Sequence, residues 1–139
     1  MINAICQRKF FLLAMLFLCS LTAGEKIAIV TKIIGNVEYA RDNKFPKNLK
    51  RGFIIENGDQ IVTKKDAFVA IVFIDDRTAL KIKEKSKIVI NGKKRAKNIS
   101  KNINLDSGII RAQVNNGKDF LVQTSVSVAS VKGTDFWVI

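Results

Sequence analysis

The sequence predicts an all-β protein: one small domain of short strands, built as a β-solenoid or roll or as a sandwich, with a signal-peptide helix ahead of it. Three observations carry this. Several segments alternate apolar and polar residues, the period of a half-buried strand. Gly, Asn and Asp turn signals punctuate them every 8–12 residues or so, as in all-β domains. After the leader, no segment has the 3.6-residue apolar period of an amphipathic helix.

The first 24 residues read as a secretory leader. Arg8-Lys9 form a basic start, Phe10–Leu18 an apolar run, and Thr22-Ala23-Gly24 a small-residue cleavage zone. The run is short of the roughly 20 apolar residues that a bilayer helix needs. A lipid anchor at Cys19 would want a small residue where Leu18 stands. Cleavage is expected after Ala23 or Gly24, leaving residues 25–139 as the domain.

Lys26–Thr31 begins the first strand, and Ile33–Tyr39 continues it or forms a second. Gly35 inside that apolar run predicts a bulge or a close backbone approach. Arg41–Arg51 is basic, holds Pro46 and reads as a flexible loop. Asn57-Gly58-Asp59 is a tight turn, followed by a short strand at Ile61–Thr63. Ala67–Ile74 is a continuous apolar run rich in β-branched and aromatic residues, predicting a central strand buried on both faces. Asp75-Asp76-Arg77 turns the chain. Thr78–Lys83 then alternates with Leu80 and Ile82 inward, and Ser86–Ile90 is a further strand ended by Asn91-Gly92. Lys93–Lys97 reads as a basic loop. Ile99–Leu105 alternates weakly, Asp106-Ser107-Gly108 turns, and Ile109–Val114 is a strand with Asp119–Thr124 as its expected hairpin partner. Thr124–Val138 closes the chain as two alternating strands around a polar turn, Lys132-Gly133-Thr134-Asp135.

Composition excludes several function classes. Histidine is absent, and both cysteines, Cys6 and Cys19, lie in the leader. The domain therefore has no disulfide framework, no thiolate nucleophile and neither of the best zinc ligands. No spacing marks a catalytic site, so the expectation is a non-enzyme without cofactor or metal. Asp75-Asp76 lacks the alternating pattern of a calcium loop and reads as a solvated turn. The net charge is +12, or about +10 once Arg8 and Lys9 are removed with the leader. Export argues against a nucleic-acid partner, leaving anionic envelope polymers or plain solvation as the reading of that charge.

Four segments, taken in order, resemble the FecR domain family. They are Gly58–Thr63, Phe73–Leu80, Leu105–Val114 and Thr124–Val138, the last with the family-like Lys132-Gly133-Thr134-x-Phe136-x-Val138 finish; Gly35-Asn36-Val37 fits the family's opening. The chain departs from the family pattern at Ser125, where Pro is usual, at Lys132, where Arg is usual, and at Asp76, where Gly is common. The resemblance implies an all-β periplasmic or secreted module. Its best-known members relay a signal from an outer-membrane receptor to a sigma factor, with an anti-sigma segment and a membrane helix ahead of the domain. Here a leader stands directly before the domain, so the expectation is a stand-alone exported member that binds a protein partner in the cell envelope. The apolar finish at Phe136–Ile139 leaves a truncated gene fragment as an alternative.

Two groups of residues are candidate sites. Lys132, Gly133, Thr134, Asp135 and Trp137 would form a partner-binding turn and strand, since aromatics concentrate at interface hot spots. The turn residues also suit, and more commonly serve, a purely structural role, with Gly for conformation and Thr and Asp bonding to backbone. Phe136 and Trp137 should face opposite ways, one into the core and the other outward. Lys81, Lys83, Lys93, Lys94, Arg95 and Lys97 would form a patch for anionic polymer.

Overall fold

A computed structural model describes residues 24–115, 119–131 and 134–139. The described residues form 13 strands and no helix. The expected leader helix, residues 1–23, lies outside them. The strands are β1 (Lys26–Ile34), β2 (Val37–Ala40), β3 (Lys47–Asn48), β4 (Ile54–Glu56), β5 (Asp59–Thr63), β6 (Phe68–Phe73), β7 (Ala79–Ile82), β8 (Lys87–Arg95), β9 (Asn98–Ser107), β10 (Ile110–Val114), β11 (Phe120–Thr124), β12 (Val128–Val131) and β13 (Thr134–Val138).

They build two sheets. One runs β13-β10-β7-β6-β1-β4, the other β12-β11-β9-β8-β5-β2-β3. The all-β expectation is met, and the two sheets share one core. Inward residues come from both: Ile27, Val69, Ile71, Phe73, Leu80 and Ile110 from the first, Ile61, Ile88, Ile90, Ile103 and Phe120 from the second. Phe73 and Phe120 meet edge-on across the core at 6.5 Å. Each such large apolar side chain contributes roughly 1.5–3 kcal/mol by leaving water.

The chain changes sheet repeatedly, after β1, β3, β4, β5, β7, β9, β10 and β12. Asn57-Gly58 is the tight turn expected, with Gly58 at φ 86°, and it joins strands of different sheets. Two expectations based on neighbours in sequence are corrected. β10 and β11 are not a hairpin: β11 pairs in parallel with β9 and antiparallel with β12. The last two strands do not pair with each other either, because β12 follows β11 while β13 pairs with β10. Alternation reveals which face of a strand is apolar, but not which sheet that face covers.

Three further expectations change. The Ala67–Ile74 run is not buried on both faces: β6 has Val69, Ile71 and Phe73 inward and Phe68, Ala70 and Val72 half-buried on the other side. Asn91-Gly92 does not end a strand, because β8 continues to Arg95. A Cβ on Gly92 would meet Ile27 Cγ2 at 2.8 Å and Ile99 Cγ2 at 3.1 Å, so glycine lets the sheets approach there. The Arg41–Arg51 segment is not structureless: it contains β3, buries Leu49 and anchors Arg41 in ion pairs.

Gly35 fulfils its expectation. It makes the corner between β1 and β2 at φ 72°, and a Cβ there would sit 3.0 Å from the Ala67 Cα and the Asp66 carbonyl. Gly35→Ala is expected to cost about 1–2 kcal/mol from the left-handed conformation alone. Urea unfolding would register this as a lower midpoint with an unchanged slope.

Candidate functional site

The outer face of β7, β10 and β13 carries Asp135 and Trp137 of the sequence-predicted partner site. In β10, Ile110, Ala112 and Val114 turn inward, which leaves Arg111 and Gln113 outward. Register then places Arg111 between Lys81 of β7 and Trp137 of β13, and Gln113 opposite Asp135. Arg111 reaches diagonally to Asp135: Nε donates to Oδ1 at 2.7 Å, and Nη2 donates to Oδ2. The Trp137 ring lies half-exposed between two cations, 4.5 Å from Lys83 Nζ and 5.2 Å from the Arg111 guanidinium.

The electrostatics of this face are internally consistent. The hydrogen bond from Arg111, aided by its charge and that of Lys81, holds the Asp135 carboxyl below its usual range. The same hydrogen bond raises Arg111. Among the described residues of this face, Lys81, Lys83 and Arg111 stand against the carboxylate of Asp135, so the face keeps a positive excess. A tryptophan fixed by two cations has few rotamers left to lose on binding, which lowers the cost of ordering it.

The predicted residues distribute as follows. Asp135 and Trp137 are exposed on β13, while the side chain of Phe136, the other member of the expected in-and-out pair, lies outside the described residues. Thr134 opens β13 and pairs with Val114 through the backbone. Lys132 and Gly133 lie outside the described residues. The expected basic patch divides between the sheets. Lys81 and Lys83 belong to the β7 region of the first sheet and join the Trp137 cluster. Lys93, Lys94, Arg95 and Lys97 sit at the exposed tip of the β8–β9 hairpin in the second. Arg111 was absent from the sequence reading, although its outward place in the Ile110–Val114 alternation was a visible signal.

The Asp75-Asp76 turn is a correction. It is not solvated. Asp75 and Asp76 are nearly buried and close on Lys101, itself only 2 % exposed. Lys101 Nζ donates to Asp75 Oδ2 at 2.8 Å, to Asp76 Oδ2 at 3.1 Å and to the Ile99 carbonyl at 3.2 Å. The Ile99 N–H also donates to Asp75 Oδ2, and the Thr78 N–H to Asp76 Oδ1. Lys101 occupies an inward position of β9, between Ile99 and Ile103. Its ammonium also stands 5.3 Å from the Phe73 ring. This network ties the β6–β7 turn of one sheet to a strand of the other.

The two-sheet fold and its exposed aromatic-cationic face describe an all-β module with a surface suited to binding. A family model described as FecR protein matches residues 59–139, from β5 through β13. The chain belongs to this family. The match bears out the resemblance stated from the sequence, although Gly35-Asn36-Val37 precedes the matched segment. Membership indicates a module of signalling or regulatory type. Searches of curated proteins and of solved structures each found no match.

Proposed function

We propose that this is an exported, non-enzymatic FecR-type module that engages a protein partner in the cell envelope through the β7–β10–β13 face. The observation that carries the reading is Trp137, half-exposed and flanked by Lys83 and Arg111. Exposed tryptophan and arginine together are the residues most enriched at binding hot spots. The positive excess of the face favours an acidic partner surface, with like-charged surfaces rejected. β13 also stands at the outer end of its sheet, so an extended partner segment can add to it by main-chain pairing. Export rests on the leader-like pattern of residues 1–24 and places the module in the periplasm or outside the cell.

The test is capture from an envelope fraction with tagged residues 25–139. A specific partner should be retained, and Trp137→Ala should weaken its binding by about tenfold or more, the loss expected of a hot-spot residue. Trp137 is exposed, so the variant should keep its thermal midpoint. Equal retention by the variant, or capture of abundant contaminants alone, would sink the reading.

A further inference from the structure

A cleft lies at the margin of the sheets opposite the one that carries Trp137. β2 and β3 end their sheet at the margin opposite β12, and the short link β3–β4 joins the two sheets on that side. At the β2–β3 margin, Tyr39, Arg41, Lys44, Phe45 and Lys47 line a cleft of about 220 Å³. Tyr39 pairs with Ile61 on one side and Lys47 on the other, so the cleft opens where the inner face of the sheet reaches its edge. Phe53 packs against Tyr39 at 4.3 Å between ring centroids.

The segment that closes the cleft is held in a defined shape. Asp42 and Asn43 both take left-handed conformations, at φ 54° and 55°. The Lys44 N–H donates to the Arg41 carbonyl at 3.0 Å. This tight turn carries Lys44 and Phe45 back to Tyr39 and Lys47. Phe45 is 92 % exposed, a large apolar surface left in water at the mouth of a cleft.

Charge divides the three cations by role. Arg41 is engaged by Asp59 and Glu56. Lys44 and Lys47 have no carboxylate partner among the described residues. The cleft thus offers two unpaired ammoniums beside two aromatic surfaces. Its volume is below the roughly 300–1,000 Å³ of sites for drug-sized ligands, so it suits one unit of a longer molecule. An inorganic anion would use the lysines and leave Phe45 idle; a neutral sugar would do the reverse. A pyranose bearing a carboxylate uses both, its C–H face against the rings and its carboxylate on the ammoniums.

We propose that the Tyr39–Lys47 cleft binds a uronate unit of an anionic polysaccharide. The proposal is independent of the Trp137 face. It also places the anionic-polymer contact in a loop other than the Lys93–Lys97 hairpin tip.

The experiment measures binding of residues 25–139 to polygalacturonate, with a neutral glucan of similar size and vesicles of phosphatidylglycerol as further probes. Binding to polygalacturonate is expected, weakening as salt rises. The pair Lys44→Glu and Lys47→Glu should weaken it by about tenfold or more. Phe45→Ala should weaken it by about threefold at the same salt, the scale of one aromatic contact. The pair Lys93→Glu and Lys94→Glu, which makes the same change in net charge, should leave it within about twofold. All these side chains are exposed, so an unchanged thermal midpoint confirms folding. The proposal is overturned by absent binding, by equal losses from the two lysine pairs, by an unaffected Phe45→Ala, or by binding to the vesicles or the neutral glucan in place of polygalacturonate.

Discussion

Replacing Lys101 with methionine should destabilise the fold by about 3–5 kcal/mol at neutral pH, the range for breaking a buried ion pair from one side. Methionine fills a similar volume, so packing changes little. What changes is the environment of Asp75. Its Oδ2 would keep only the Ile99 N–H, and its Oδ1 is already buried without a hydrogen-bond partner. In the native protein, burial pushes the Asp75 carboxyl up. Hydrogen bonds from Lys101 and from the Ile99 N–H outweigh that push, and the charge of Lys101 adds to them, so the carboxyl lies below its ordinary value of 3.8. A carboxyl lowered on folding stabilises the native state above its unfolded pKa and loses that contribution as pH falls through the folded one. In Lys101→Met the sign reverses. Asp75 becomes a buried carboxyl without a counter-charge, its folded pKa rises above the unfolded value, and protonation relieves the cost. The deficit of the variant relative to the native chain should therefore shrink between pH 7 and pH 4. Adding Asp75→Asn should recover part of it. Urea titrations at the two pH values measure both effects. A deficit below about 1 kcal/mol, or one that grows on acidification, would show that the pair is not buried in the folded protein.

That network also marks how far the sequence could be read. The alternation of Ile99, Ile103 and Leu105 was legible, and it placed Lys101 on the inward face of the same strand. A lysine at an inward position is a visible anomaly, because isolated buried charge is costly. Its partners were not legible: Asp75 and Asp76 lie more than 20 residues earlier, in the turn between two strands of the other sheet. The Asp-Asp-Arg signature predicted a turn correctly, and β6 and β7 do form a hairpin around it. Turn chemistry is local and says nothing of what packs over the turn.

The same limit explains the strand pairings. Hydrophobic alternation put Lys81 and Lys83 on the outer face of β7 and left open which of Phe136 and Trp137 faces outward. It could not tell that β10 turns to β7 and β13 and away from β11, because adjacency is decided by which sheet each corner feeds. The Trp137 cluster was half legible for this reason. Asp135, Trp137, Lys81 and Lys83 were singled out in two unrelated groups, and only the β7–β10–β13 register unites them through Arg111.

Arg41→Met is expected to cost about 2–3 kcal/mol, below the full range for a buried pair because the Arg41 side chain keeps 30 % of its exposure. Asp59 is fully buried at the start of β5. Arg41 grips it with both prongs of the guanidinium, Nε to Oδ1 at 2.9 Å and Nη2 to Oδ2 at 2.8 Å, and the Glu56 N–H adds a third bond at 2.9 Å. The Asp59 hydrogen bond raises Arg41 above its usual value, so the guanidinium stays charged throughout the accessible range. Methionine would leave a buried carboxylate with one backbone donor. It would also remove the cation that lies 5.2 Å from Phe53 and 5.9 Å from Tyr39. Arg41→Lys keeps the charge but not the two-pronged geometry, so it should recover only part of the loss. Lys44→Met supplies the contrast. Lys44 lines the same cleft but is exposed and unpaired, so its removal should shift stability by less than about 0.5 kcal/mol. Urea midpoints of the three variants separate the roles: a structural cation that shapes the cleft by holding β5, and a free one available to a ligand. If Arg41→Met proved as mild as Lys44→Met, Asp59 would have to find its counter-charge elsewhere, and the cleft would lose its fixed floor.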